Sequence, residues 1–430
     1  MVRTYYGDQG GVARNDYARA TKTKRSWWFD YWESWEMFGI QGNDTLIGGP
    51  ESDSLYGGAG NDWLRGEDGS DYLDGNSGND TMVGGNGHDT YRVDSYSDVV
   101  SERDYGGFDT IRTTTSSYRL PSNVEALVLE TGYNGYGNSQ GNTITGNHRN
   151  NKLYGYAGQD RLIGNDGNDT LDGGLNRDTM QGGNGNDVYY VDNRYDIVTE
   201  RSGEGLDTVH ISLDNYQLPN YVESLVLEVG ASAHGNSLSN AFYGSSGSDS
   251  LYGNNGNDTL FGAGGVDDLY GGAGNDNLYG GDQNDELYGE AGRDWLFGGA
   301  GSDDLYGSVG NDDLYGGAGT DYLDGFGHTS EYDTLSGDSE ADIFVLGSVQ
   351  TAYYRGAGYA TVTDFNRAEG DKIWVNGSPS DYVLVQTHLV GSPDIADTRI
   401  LLNGDVIGIV QDNTTIALNT DIISASVIVD

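Results

Sequence analysis

One apolar side chain returns every nine residues through three stretches of this chain. Each follows an aspartate by two positions, and a glycine-rich tetrapeptide stands before the aspartate. The first stretch carries Asp44, Asp53, Asp62, Asp71, Asp80 and Asp89, and the second Asp160, Asp169, Asp178 and Asp187. The third is the longest: Asp249, Asp258, Asp267, Asp276, Asp285, Asp294, Asp303, Asp312 and Asp321. Residues 57–65, 271–279 and 316–324 show the unit most cleanly. Its glycines permit positive φ and let carbonyls turn inward, and the leucine faces a core because strand side chains alternate. The pattern predicts six residues of turn followed by three of strand, with one unit making half a coil and two closing it. Residues 18 apart then stack at the inter-strand distance of about 4.8 Å. The predicted architecture is an all-β solenoid.

Composition supports a solenoid over a globule. Of 430 residues, 35% are hydrophobic and 70 are glycine, too little for one large core but enough for a thin apolar stripe repeated along a coil. The net charge of −45 would repel the phosphates of nucleic acid. The chain has no cysteine, so cross-linking must come from something other than disulfides. No run of 18 apolar residues occurs, which predicts no membrane span.

The acidic residues keep a register, where a solvated acidic tail would show blocks. A carboxylate at a fixed step beside glycine-rich backbone describes a ladder of hard-cation sites. Calcium takes six to eight oxygens at about 2.3–2.6 Å from carboxylates and carbonyls, in a tolerant geometry. Stacked turns would offer two aspartates, such as Asp258 and Asp276, together with turn carbonyls. Gly57, Ala59 and Asn61 in the first stretch, and Gly271, Ala273 and Asn275 in the third, are the candidate carbonyl donors. Magnesium demands a stricter octahedron, and transition metals favour histidine or cysteine. If each ion bridges aspartates one coil apart, about 13 ions would bind and leave a net charge of about −19. Asn142, Asn151 and Asn240 stand where aspartate belongs, and Glu51 and Gln283 replace a turn glycine. Those coils are expected to bind metal weakly or not at all.

These units resemble the glycine- and aspartate-rich nonapeptide, GGxGxDxUx, of RTX (repeat-in-toxin) proteins. The resemblance covers most of residues 40–345. It implies a right-handed parallel β-roll or β-helix, calcium between successive turns on both edges, and folding outside the cell.

The gaps between stretches are copies of each other at an offset of 98 residues. Asp94, Asp98, Val100, Glu102, Asp109, Leu120, Pro121 and Glu125 recur as Asp192, Asp196, Val198, Glu200, Asp207, Leu218, Pro219 and Glu223. They resemble the strand-rich spacers of long RTX proteins and are expected to stay stacked on the roll, with larger coils and no metal. The chain then divides into a basic, aromatic N-terminal cap or assembly segment (1–38), calcium blocks at 39–95, 142–191 and 240–346, spacers at 96–141 and 192–239, and a β-rich C-terminal cap (347–430). After Asp321 the step slips to twelve at Asp333 and returns to nine at Asp342, which predicts the end of the regular roll.

The ends carry further expectations. Residues 361–373, with Asp364-Phe365 and Gly370-Asp371-Lys372-Ile373, resemble the DF…GDKI stretch of secreted RTX proteins. Ile422–Asp430, apolar with a terminal acid, is similar to the uncleaved signal read by type I secretion machinery, and Met1–Tyr6 lacks the apolar segment of a signal peptide. Trp28, Trp32 and Trp35 fit one helical face, and Trp27, Phe29, Tyr31 and Trp35 nearly fit one strand face, so periodicity does not decide. They suit a cap on the first coil, an assembly contact, or glycan or envelope binding. Outward aromatics 18 apart (Tyr252, Tyr270, Tyr288, Tyr306; Phe261, Tyr279, Phe297, Tyr315) should form stacked ladders, which add stability and would also suit a glycan or protein partner.

Catalytic signatures are absent. No histidine precedes glutamate, which excludes HExxH, and no phosphate loop occurs. The one GxSxG match, Gly137–Gly141, ends in Ser239 in its copy and lacks the strand-to-helix setting of a nucleophile elbow. The sequence reads as a secreted, calcium-binding structural or surface protein and not an enzyme. A polysaccharide-binding module or a cryptic extracellular hydrolase is the alternative.

Overall fold

The computed structural model describes residues 3–7, 17–19, 23–24, 30–31, 34–327, 330–347, 353–354, 358–387 and 396–424. Two compact units, Met1–Asp207 and Thr208–Asp430, make up the chain. Among the described residues each is built from short strands, with a single 3-10 turn, Pro379–Asp381, in the second.

In the first repeat block of the first unit, successive nine-residue segments alternate between two parallel sheets. Ser54–Ala59 pairs with Tyr72–Ser77 on one side, and Trp63–Asp68 with Thr81–Asn86 on the other. Partners are 18 apart, as in Leu55 with Leu73 and Leu64 with Met82. Leu46, Leu64 and Met82 form one fully buried file, and Leu55, Leu73, Tyr91, Ile111, Leu127, Ile144, Leu162 and Met180 the other. The second unit repeats this with Leu251, Leu269, Leu287, Leu305 and Leu323 against Leu260, Leu278, Leu296, Leu314 and Leu335, all buried. The fold is thus an all-β parallel solenoid, unit by unit, with core and carboxylate locked to the same period.

The division of each repeat differs from expectation. Strands run six residues, as in Asp268–Ala273 and Asn277–Asp282, leaving three for the turn. The glycines that looked like turn are kinked strand: Gly58 and Ala59 pair with Asn76 and Ser77. Gly58 (φ +106°) and Gly60 (φ +139°) occupy the left-handed region, and a Cβ on Gly60 would fall 1.6 Å from the Gly42 carbonyl oxygen. Backbone approach, as much as backbone torsion, demands glycine there.

Spacer strands stack on repeat strands, but their coils are not uniformly larger. Thr90 pairs with Thr110 across 20 residues, whereas Thr110 pairs with Ala126 across only 16. The roll also runs on past residue 346, where the third block was expected to end. Asp313–Ala318 pairs with Tyr332–Ser339, which pairs with Tyr359–Val362, while Ile343–Val345 pairs with Lys372–Val375. Residues from the DF…GDKI stretch therefore flank one more coil. An antiparallel meander, Tyr382–Thr387, Asp397–Leu402 and Asp405–Val410, follows on its edge.

At the N-terminus Arg3–Tyr6 pairs with Trp35–Gln41, and Tyr17–Arg19 with Thr45–Ile47. Trp27, Trp28, Phe29 and Trp32 lie outside the described residues, as do residues 425–430 of the secretion-signal resemblance. Ile422–Ser424 is a strand beside Lys372–Val375. Among the described residues, no helix is long and apolar enough to cross a membrane.

Candidate metal centres

Each repeat aspartate sits where its turn ends, so its carboxylate lies at the edge of the solenoid beside the backbone of the neighbouring coil. One oxygen of each carboxylate is committed to that neighbour. Asp62 Oδ1 accepts from the Asp44 N–H at 2.7 Å, and Asp80 Oδ1 from the Asp62 N–H at 2.8 Å. Asp71 and Asp89 continue the opposite file at 2.7 and 2.8 Å. In the second unit the same bond joins Asp258 to Asp276, Asp276 to Asp294 and Asp294 to Asp312 at 2.7–2.9 Å. Asp249, Asp267, Asp285, Asp303 and Asp321 form the facing file. The structure therefore brings together the aspartates one coil apart.

The other oxygen is the informative one. Oδ2 of Asp62, Asp71, Asp80, Asp89, Asp160, Asp169, Asp178 and Asp187 is buried without a hydrogen-bond partner, as is that of Asp258, Asp267, Asp276, Asp285, Asp294, Asp303, Asp312 and Asp321. A buried carboxylate oxygen left unpaired costs several kcal/mol unless a cation meets it. A backbone carbonyl points at the same place. A Cβ built on Gly253 would lie 2.5 Å from Asp258 Oδ2 and 2.4 Å from the Gly271 carbonyl oxygen. One built on Gly57 would lie 2.4 Å from Asp62 Oδ2 and 2.8 Å from the Gly75 oxygen. The first glycine of each unit thus clears room where oxygens converge. Donors of this kind, all oxygen, fit calcium.

Burial dominates the electrostatics. It pushes Asp71 and Asp294 up to about 8 and Asp80, Asp258, Asp285 and Asp312 up to about 7. Stacked aspartates add repulsion: Asp89 and Asp53 act on Asp71, and Asp312 and Asp276 on Asp294. The backbone N–H bond pulls the other way and does not compensate.

Not every predicted ligand fits equally. Asp53 Oδ2 accepts from the Gly49 N–H at 2.6 Å, and Asp249 Oδ2 from the Ser245 N–H at 2.7 Å. The departures from the repeat before these residues let local backbone take the oxygen a metal would use. Gly57 and Gly271 carbonyls face Asp44 and Asp258 Oδ2. Ala59 and Ala273 carbonyls instead accept from Gly42 and Gly256 N–H. Asn61 and Asn275 build an outer amide file: Asn61 Oδ1 accepts from Asn79 N–H, and Asn275 Oδ1 from Arg293 N–H.

Sequence spacing missed the continuation of the files. Asp98 and Asp109 accept from Asp80 and Asp89, Asp196 and Asp207 from Asp178 and Asp187, and Asp333, Asp342 and Asp371 from Asp312, Asp321 and Asp342. Asn142, Asn151 and Asn240 head their files, donating their N–H groups to Asp160, Asp169 and Asp258. Four of the late members have Oδ2 satisfied locally, by Ser95 N–H for Asp98, Asn193 N–H for Asp196, Tyr354 hydroxyl for Asp333 and Asn366 N–H for Asp371.

Geometry of this kind defines a parallel β-solenoid with stacked edge carboxylates for a hard cation. The model of the RTX calcium-binding nonapeptide repeat matches residues 38–73, 56–91, 136–171, 163–197, 234–269, 261–296, 270–305 and 297–325. The chain carries RTX calcium-binding repeats in three blocks, which support calcium binding by its solenoid. A hyperactive, Ca2+-dependent, β-helical antifreeze protein from an Antarctic bacterium is similar at 12% identity, covering 87% of this chain and 83% of that one. The TM-score of that pairing is 0.16. No curated protein matches the chain.

The cleared space gives a direct prediction. In Gly271→Ala the methyl would stand 2.6 Å from Asp276 Oδ2 and 2.9 Å from the Gly289 oxygen, although its φ is permitted to any residue. Overpacking of this degree costs about 1–3 kcal/mol, so the calcium concentration at half-maximal folding should rise. Ala273→Ser, at an exposed position two residues on, should leave that midpoint unchanged.

Proposed function

We propose that the chain is a secreted calcium-binding structural protein of the bacterial surface or matrix, which folds when it meets calcium after export. The buried, unpartnered Oδ2 files carry this reading, because they make the compact state depend on a ligand that is scarce inside cells and plentiful outside. Roughly a dozen ions would be held along the edges. Ile422–Asp430 would address the chain to type I secretion machinery, as its resemblance implies.

The outward faces suit contact without catalysis. Tyr252, Tyr270, Tyr288 and Tyr306 stack with centroids 4.7–4.8 Å apart, and Phe261, Tyr279, Phe297 and Tyr315 at 4.9–5.0 Å. Each ring covers its neighbour, so the ladders are half-buried and add to cohesion. Their exposed edges also support the second reading, a polysaccharide-binding module. Electron microscopy and sedimentation of the full chain in millimolar calcium, run beside a glycan array, separate the two. Ordered sheets or fibres support the structural reading, and sugar-specific retention by monomers supports the second. A folded monomer that neither assembles nor retains any glycan overturns both.

A further inference from the structure

We propose that each spacer begins with a calcium site of its own, made from Asp89, Glu102 and Asp109 in the first copy and from Asp187, Glu200 and Asp207 in the second. The proposal rests on the reading that the Oδ2 files bind calcium, and it departs from the expectation that spacers carry no metal. In each copy the three residues contribute one carboxylate oxygen apiece, all within 4.8 Å of one another. Asp89, Asp109 and Asp187 are 1% exposed, and Oδ2 of each has no hydrogen-bond partner.

A cradle is built around these oxygens. A Cβ on Gly84 would meet Asp89 Oδ2 at 2.1 Å, Tyr91 hydroxyl at 2.3 Å and Glu102 Oε1 at 2.4 Å. On Gly182 it would meet Asp187 Oδ2 at 2.0 Å and Tyr189 hydroxyl at 2.4 Å. Tyrosine replaces leucine at the core position in both copies. Its hydroxyl accepts from the Gly84 or Gly182 N–H at 2.6 or 2.7 Å and donates to Glu102 or Glu200. That bond turns a glutamate from a non-repeat segment toward the file. The longer step of 20 residues to Asp109 and Asp207 makes room for it.

The chemistry differs from that of a nonapeptide site. Three carboxylates replace a pair backed by carbonyls, and calcium affinity rises with ligand charge and rigidity. Without a cation, three carboxylates at this spacing cannot all remain ionised, and a shared proton is the competing occupant.

Crystals of the full chain grown in calcium and exchanged with terbium should give anomalous peaks along the aspartate files and a further peak inside each cluster. Peaks along the files with neither cluster occupied overturn this proposal and leave the nonapeptide reading intact. No peaks at all overturn both. In solution, Glu102→Gln with Glu200→Gln preserves shape and keeps one oxygen to accept from the Tyr91 or Tyr189 hydroxyl. It should lose two ions, one per cluster, measured by atomic emission at saturating calcium, and the two lost should be the tightest bound. Unchanged stoichiometry overturns the proposal. Should the double variant fail to fold, the wild-type crystals decide.

Discussion

Stripping divalent ions with EDTA near neutral pH is expected to abolish the β-sheet circular dichroism of the chain, and millimolar calcium to restore it. Each nine-residue segment buries one leucine, worth about 1.5–3 kcal/mol. Ordering backbone costs about 1–2 kcal/mol for every residue, so the apolar stripe alone is a weak opponent. Buried carboxylates make the metal-free state worse. Asp71 and Asp294 are pushed from 3.8 up to about 8 by burial and by stacked neighbours, and every tenfold change in proton affinity corresponds to about 1.4 kcal/mol. A handful of such residues outweighs a net stability of about 5–15 kcal/mol. Sodium chloride at matched ionic strength should not replace calcium, because screening reaches buried pairs poorly. A chain that keeps its full β signal in EDTA would show that leucines and ladder bonds suffice, and the calcium-driven account would fall.

The repeat was legible because one period serves two purposes. Leu55 and Asp53, or Leu278 and Asp276, keep a fixed offset, so the core file and the carboxylate file announce each other. What the spacing concealed was geometry that survives a change of step. Asp109 sits 20 residues beyond Asp89, Asp333 21 beyond Asp312 and Asp371 29 beyond Asp342, yet each carboxylate reaches the same backbone N–H. A coil can bulge outward without moving the residue that returns to the edge, so distance along the chain is a poor guide to place in the file. Asp53 and Asp249 show the converse, holding register in sequence while local N–H groups take the second oxygen. Glu102 and Glu200 recur at the 98-residue offset but fall off the nine-residue step, so spacing did not tie them to the carboxylate files. The nearest signal was a tyrosine in the leucine position, since a buried hydroxyl needs a partner. Periodicity left Trp35 open between helix and strand, and its strand is set by pairing with Arg3–Tyr6, a contact made far along the chain.

Acidification is expected to act in opposite directions with and without calcium. In EDTA the relevant groups are buried carboxylates whose folded values, about 6 for Asp62, Asp160 and Asp303, about 7 for Asp80, Asp178 and Asp321, and about 8 for Asp71 and Asp294, lie above the ordinary 3.8. Burial is the first cause in each. The folded state then binds more protons than the unfolded one between these values, so stability falls as pH rises through that window. The penalty is complete above about pH 8 and relieved as pH drops toward about 4. Metal-free protein should therefore gain β structure on moving from neutral pH to about pH 5. With calcium bound the slope reverses, because ligands must be ionised to hold the metal and protons displace it. Circular dichroism melts across the two pH series should converge in acid, calcium-loaded protein being more stable at neutral pH and losing that advantage as protons displace the metal. Parallel curves, or a metal-free chain that gains nothing as its carboxylates protonate, would mean that the buried aspartates are not what holds the apo state open.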